Sequence, residues 1–287
     1  MDILPLTYFL NGLLMIAIPL GLAIFLTRRW KAGWGLWGIG AVTFILSQVG
    51  HIPFNLLVQK LMERPLIYWP QAAQTAFWAV FGGLSAGVFE EGARYLALRF
   101  WARGARSWRS GVLFGAGHGG AEAILIGFLA LATYFFMLIY RQADLATIVP
   151  ASQLEAARQQ LQAYWSVPWY ASLLGALERV FALACQVAMA VMVMQVFIRR
   201  NWLWLGLAVL YHAAIDGVAV VGMATLGMYW TEALVSVFAL ASLVIIFALR
   251  RAEPSQADAS EVASPPLRLP SAPPETAEKL EETRYTE

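Results

Sequence analysis

Charged residues are scarce in this sequence, and their scarcity decides its class. Only 13% of the 287 residues are charged, about half of what a soluble protein of this length usually carries, while 60% are hydrophobic. Runs of mostly apolar residues recur along the chain, and each is long enough to cross a bilayer core of about 30 Å. The composition therefore predicts a multi-pass integral membrane protein.

Cysteine is nearly absent as well. The single cysteine, Cys185, lies within an apolar run, so no disulfide can form inside the chain. The net charge of +2 is small, and nothing in the sequence points to nucleic acid as a partner. The lipid bilayer is therefore the first partner that we expect.

Seven apolar stretches are long enough to span a membrane, so the predicted fold is an all-α bundle of about seven transmembrane helices. Lysine and arginine are distributed unevenly between the two sides: eleven fall on one side and four on the other. Because cytoplasmic loops carry the excess of positive charge, we place the N-terminus outside and the C-terminus in the cytoplasm of a bacterial-type plasma membrane. The predicted spans are 4–27, 34–58, 72–98, 110–139, 169–198, 202–224 and 229–249.

Two segments lie outside these spans. The external loop 141–168 has apolar residues at helical spacing, and Ser152 and Glu155 have the spacing of a capping box, which predicts a short helix on the outer surface. Residues 252–287 contain many Pro, Ser, Glu and Ala residues and few large apolar ones. We expect a transmembrane domain over 1–251 and a disordered cytoplasmic tail over 252–287.

Ten Glu, Asp, Arg and His residues nevertheless fall inside the second to sixth spans. A charge in the middle of a span costs about 3 kcal/mol, so these groups must pair, be neutral or line a wet cavity. Any of the three solutions brings them together. They are Glu90, Glu91, Arg94, Glu122, Glu178, Arg179, Asp216, His51, His118 and His212.

Depth predicts which of these groups meet. Counted from the arginines at the span ends, Glu91, His118 and His212 lie about 12–18 Å from the cytoplasmic surface at 1.5 Å per residue. Gln186 reaches the same level, and Glu122 and Asp216 lie one turn deeper on the faces of their histidines. A second group, made of His51, Glu178 and Arg179, falls in the outer half and is expected to stay apart.

The helical spacing of the histidines and carboxylates indicates that they can bind a metal. His118 and Glu122 are i and i+4, as are His212 and Asp216, so each pair projects from one helix face and can ligate or orient a metal. Glycines repeat every fourth residue beside them, and such stripes let helices approach closely. We expect these stripes to bring the carboxylates of the third span against the histidine of the fourth; they are Gly83, Gly87, Gly111, Gly115 and Gly119.

Three other interpretations of the polar residues stay open. A buried His–Glu pair can be a hydrogen-bond clamp between helices. Carboxylates and histidines at mid-depth also suit a non-enzymatic protein that binds or transports a cation or proton. A catalytically silent scaffold descended from an enzyme is the third.

The order and spacing of the motifs resemble a known superfamily. EEGAR (90–94), FGAGH (114–118) and HAAID (212–216) are similar to the motifs of the CAAX prenyl proteases, the Abi proteins and the PrsW proteases. The nearest resemblance is to the YhfC-like intramembrane metalloproteases, through EEGARY, HGGAE, the pair Glu178–Arg179 and YHAAIDG. It covers about residues 1–250.

The resemblance implies a function and a set of roles. It implies an intramembrane protease that cleaves membrane proteins or lipidated peptides, with a divalent metal, zinc first, as cofactor. Glu90 or Glu91 would activate water, and His118 and His212 would bind the metal or steady the oxyanion. Asp216 would be a third ligand or would orient His212, and the site would open toward the cytoplasmic half.

Two questions about the mechanism stay open: which of the two glutamates is the base, and whether the reaction uses a metal. Arg94 is i+4 from Glu90 and i+3 from Glu91, so either glutamate can be the partner of the arginine and the other the base. We include Arg94 and Glu122 with the catalytic group. A metal-free glutamate mechanism could use the same residues.

Overall fold

The computed structural model describes residues 3–250, and within them all regular structure is helical. Seven helices are long and apolar enough to cross a membrane, which confirms the predicted all-α bundle. The predicted tail, 252–287, lies outside the described residues. The spanning helices are α1 (Leu4–Trp30), α2 (Gly35–Leu66), α3 (Gln71–Phe100), α4 (Trp108–Gln142), α6 (Leu174–Ile198), α7 (Leu203–Thr225) and α8 (Met228–Ala248).

Helix α2 extends well beyond its predicted span, which ended at residue 58. It continues as helix through Pro53 and through the polar segment that contains Lys60 and Glu63, as far as Leu66. Hydropathy locates the apolar part of a helix, whereas backbone hydrogen bonds continue wherever the side chains tolerate helical geometry. The sequence therefore placed the span and missed the last two turns.

The helices alternate in direction, so the bundle has two distinct ends. At one end, which we call the arginine end, lie the loops 101–107 and 199–202, and the ring of Trp30 packs on that of Trp108 with centroids 5.8 Å apart. The other end carries α5 (Leu154–Trp165), and we call it the α5 end.

Helix α5 confirms the predicted helix in the loop 141–168, but its start and its attachment differ from expectation. Its N-cap is Gln153, which makes no side-chain cap bond, so the capping box predicted at Ser152 does not form. Its aromatic end packs on α1: the rings of Tyr164 and Tyr8 stack with centroids 4.1 Å apart, and the Tyr8 hydroxyl donates to the Tyr164 carbonyl at 2.7 Å. The helix is therefore fixed to the bundle.

The glycine stripe of α3 packs against α7. A Cβ at Gly83 would lie 2.5 Å from the carbonyl oxygen of Ala213, and one at Gly87 would lie 2.7 Å from that of Val209. The expectation that this stripe faces α4 is therefore wrong. Spacing shows that a helix has a face for close approach, but it does not show which helix fills it.

The glycine stripe of α4 packs against α6. A Cβ at Gly115 would meet Ala190 at 2.7 Å, and one at Gly119 would meet the side chain of Gln186 at 2.6 Å. Helix α6 is the most buried of the seven spans, and it also packs against α1, α3, α7 and α8. The polar groups of α3, α4 and α7 meet around this central helix.

Candidate active site

Glu90 on α3 reaches two other helices. Its Oε2 lies 3.2 Å from Nε2 of His118 on α4, and its Oε1 accepts a hydrogen bond of 3.0 Å from Nε2 of Gln48 on α2. The predicted meeting of the third and fourth spans at one level is therefore present. Gln48 was missed, although it lies three residues before His51 and so on the same face of its helix.

Glu91 is the principal partner of Arg94. Both residues are fully buried, and Nη1 of Arg94 lies 3.0 and 3.1 Å from the two carboxylate oxygens of Glu91. The corresponding approach of Arg94 to Glu90 is 3.6 Å. Oε1 of Glu91 also accepts from Nδ1 of His212 on α7 at 2.9 Å. The two adjacent glutamates thus have different environments.

Gln186 on α6 connects the two sets of charges. Its side-chain oxygen accepts from Nη2 of Arg94, which fixes the orientation of the amide. Its Nε2 then donates to Oε2 of Glu122 at 2.6 Å and lies 3.5 Å from Oε2 of Glu90. The predicted level of Gln186 agrees with this position.

The expectation that Glu178 and Arg179 stay apart from the inner group is wrong. Nη1 of Arg179 lies 2.8 Å from Oε1 of Glu122, and its Nη2 lies 2.5 Å from Oε1 of Glu178. The long side chain of arginine bridges the interval between the two levels. Counting from span ends gives the height of a backbone atom, and it leaves out the reach of the side chain.

His51 also joins the site, through Gln48. Its Nδ1 lies 3.4 Å from Oε1 of Gln48, and its Nε2 lies 3.1 Å from the hydroxyl of Ser85 and 2.8 Å from Nδ2 of Asn55. This branch carries a continuous polar chain from Glu90 through Gln48 to His51 along α2.

A cavity of about 150 Å³ lies among these residues. Both Glu90 and His212 line it, whereas Glu91, Arg94 and His118 do not. From Glu90 and His212 the cavity extends toward the α5 end, past Asp216 and Ala219 of α7. The site is expected to open toward the arginine-rich half, whereas these lining residues continue toward the α5 end. Its other lining residues are Glu122, Glu178, Arg179, Ala182, Cys185, Gln186, Met189, Ile215 and Val235.

The donor types around Glu90 fit a divalent metal. The bond from Nδ1 of His212 to Glu91 leaves Nε2 facing Asp216 at 3.6 Å, which is the arrangement of a metal-binding histidine oriented by a carboxylate. Nδ1 of His118 is buried and has no hydrogen-bond partner. Within residues 3–250, however, no three His, Cys, Asp or Glu side chains are placed to share one ion.

Comparisons with known proteins give the family. The model of the YhfC intramembrane metalloprotease family matches residues 14–239. The "Uncharacterized membrane protein YhfC" of Bacillus subtilis (strain 168) is 31% identical over 225 residues, which cover 74% of this chain and 82% of that protein. No solved structure matches the chain. The chain is an integral, multi-pass membrane protein, and it belongs to the YhfC intramembrane metalloprotease family.

Proposed function

We propose that the protein is an intramembrane protease that hydrolyses peptide bonds of membrane proteins or lipidated peptides. The observation that carries the proposal is the cavity between α3, α4, α6 and α7, into which a carboxylate and an imidazole both project. Peptide hydrolysis needs a base for water and a polarising group for the carbonyl, both sheltered from lipid. Glu90 and His212 supply these two groups in one small space.

Glu90 is the base in this proposal. It lines the cavity, so a water molecule there can give its proton to the carboxylate. His118 contacts one oxygen of Glu90 and Gln48 donates to the other, and together they fix the orientation of the carboxylate. Glu91, by contrast, is fully buried against Arg94 and does not line the cavity. The geometry thus favours one of the two alternatives that the sequence left open.

Arg94 and Glu91 position His212. The carboxylate of Glu91 accepts from Nδ1 of His212 and is itself held by the guanidinium of Arg94. This chain fixes the imidazole ring and directs its Nε2 away from Glu91, on the side of Asp216. The amide of Gln186 donates to Glu122 and lies 3.5 Å from Glu90, so it connects the base to a second carboxylate of the catalytic group.

A bound divalent metal, zinc being the first candidate, would add Lewis-acid chemistry at this position. His118 and His212 would hold it, with Asp216 as a further carboxylate, and Glu90 would stay free to act as the base. The roles of Arg94, Glu91 and Gln186 in orienting those side chains are the same with or without the ion.

Cleavage of a membrane substrate by purified protein tests the proposal. A fluorescent reporter with a single transmembrane segment, presented in liposomes, should be cut by the parent protein and left intact by the Glu90→Gln variant. Glutamine has nearly the same size but cannot take a proton from water. Equal cleavage by parent and variant would refute Glu90 as the base.

One observation favours a second function. Four carboxylates line the cavity, from Glu90, Glu122, Glu178 and Asp216, against the single guanidinium of Arg179. Such an excess of negative charge suits a site that binds or passes a cation or proton. Proton or cation flux through liposomes that is altered by Glu90→Gln, together with no cleavage of any reporter, would establish that function instead.

A further inference from the structure

The exposure of the polar side chains rises in one direction through the bundle. The side chains of Glu91 and Arg94 are 0% exposed, that of Glu122 is 19% exposed, and those of Glu178 and Asp216 are each 40% exposed. On α4, α6 and α7 the more exposed residues lie nearer the α5 end. The exposed fraction of these polar side chains therefore increases from the base toward that end.

The opposite direction is closed by packed apolar side chains. Helices α3, α4, α6 and α7 each contribute fully buried residues on the arginine side of their polar residues, and these belong to one continuous core. Water finds few polar partners among such side chains, and a tightly packed core leaves few voids of its size. These residues include Leu98 of α3, Phe114 of α4, Val191 and Met194 of α6, and Ala208 of α7.

Arg179 lies in the wall of the cavity and pairs with two of the carboxylates that line it. Its two Nη atoms hold Glu122 of α4 and Glu178 of α6, so the guanidinium links two helices that both line the cavity. Arg179 itself is buried, so its paired side chain occupies space between these two helices at the cavity wall.

We infer that water and the substrate segment reach Glu90 from the α5 end of the bundle, through the mouth formed by Glu122, Glu178 and Asp216, and that the paired Arg179 narrows this mouth. The part that concerns substrate rests on the proposed proteolytic function. The part that concerns water depends only on the cavity and is tested without any measurement of cleavage.

Cysteine accessibility tests the direction of entry. Cys185 is changed to alanine, which leaves no other cysteine, and single cysteines are then introduced at cavity positions Ala182 and Ala219. In sealed proteoliposomes of one orientation, a charged, membrane-impermeant thiol reagent is applied from either side, and the remaining thiols are counted after denaturation. Glu155→Cys, on an exposed position of α5, reports which face carries that helix.

Matched control variants lie on the other side of the site. Ala190 is four residues after Gln186, as Ala182 is four residues before it, and Ala208 is four residues before His212. Both control positions are fully buried. Ala182→Cys and Ala219→Cys should lose their free thiol to reagent on the face of Glu155→Cys alone, and Ala190→Cys and Ala208→Cys should keep theirs. Modification of the cavity positions from the opposite face, or from neither face, would overturn the inference.

Arg179→Lys tests the narrowing of the mouth. Lysine keeps the positive charge, but its single ammonium cannot hold Glu122 and Glu178 in the two-armed manner of the guanidinium. The rate at which Ala182→Cys is modified should rise severalfold in this variant, while Ala190→Cys stays protected. An unchanged rate would show that Arg179 does not control entry. Normal accessibility with no proteolysis would refute the protease function and leave the direction of entry standing.

Discussion

Adjacent glutamates with different surroundings are the most informative feature at the scale of single residues. Glu91 has Arg94 and His212 as partners and no exposure, whereas Glu90 faces the cavity and is held by His118 and Gln48. Both carboxylates are buried, but the guanidinium of Arg94 hydrogen-bonds to Glu91 at 3.1 Å and comes no nearer than 3.6 Å to Glu90. Substitution of Glu91 should therefore reduce mainly the stability of the protein, and substitution of Glu90 should reduce mainly its activity.

Glu91→Gln should destabilise the protein much more than Glu90→Gln. Removing one partner of a buried ion pair leaves the other charge uncompensated and costs about 3–5 kcal/mol. Glu91→Gln removes the carboxylate charge that lies closest to the guanidinium of Arg94. Glu90→Gln keeps the ion pair between Arg94 and Glu91. Thermal unfolding of both variants in detergent measures the difference. Equal melting temperatures would contradict the assignment of Glu91 as the partner of Arg94.

Metal content should depend on two of the three histidines. His118→Ala or His212→Ala should remove most of the bound metal, because each supplies a nitrogen beside Glu90 or Asp216. His51→Ala is the matched control, since the ring of His51 is held by Ser85 and Asn55. Elemental analysis of purified protein measures the content. Stoichiometric metal in the variant that lacks both His118 and His212 would rule out this site.

Most residues of the candidate site could be predicted from the sequence, because burying a charged group in a membrane span costs free energy. A charged group inside a span is costly enough to be informative wherever it occurs, so Glu90, Glu91 and Arg94 stood out at once. Gln48 carries no charge, and its importance depends on which helix lies opposite. The choice between Glu90 and Glu91 likewise needed the position of α6, because Gln186 fixes the guanidinium of Arg94.

At the scale of helices, the glycine stripes determine how close α3 and α7 lie. The sequence showed that α3 has a face for close approach, but the partner helix follows from the packing of the whole bundle. Neighbouring glycines on α3 also differ: a Cβ at Gly83 would meet the backbone of Ala213, whereas one at Gly82 would meet nothing within 4 Å. The two positions form a matched pair for testing the packing.

Gly83→Ala and Gly82→Ala should change stability in opposite directions. The added methyl group at Gly83 overlaps a backbone oxygen that cannot move aside freely, and overpacking of this kind costs about 1–3 kcal/mol. At Gly82 the substitution should gain about 0.5–1 kcal/mol, because alanine has the higher helix propensity. Thermal unfolding of the two variants measures the contrast. A destabilised Gly82→Ala beside an unchanged Gly83→Ala would show that α3 and α7 are not in close contact.

The whole molecule combines two asymmetries. Lysines and arginines are concentrated at the end that is packed with apolar residues, and the polar cavity extends toward the end that carries α5. Charge distribution predicts that the arginine end is cytoplasmic. Together these features predict that the candidate site receives water from outside the cell, although its base lies nearer the cytoplasmic surface.

Reporter fusions test the orientation on which that conclusion depends. A reporter inserted after Arg103 should behave as cytoplasmic, because this loop belongs to the side with eleven of the fifteen basic residues compared. A reporter placed near Glu155, on exposed α5, should behave as external. Activity of a phosphatase that folds only outside the cytoplasm, paired with a fluorescent protein that folds only inside, distinguishes the two locations. The reverse pattern would show that the bundle has the opposite orientation in the membrane. The cavity would then open toward the cytoplasm, and every contact inside the bundle would stay the same.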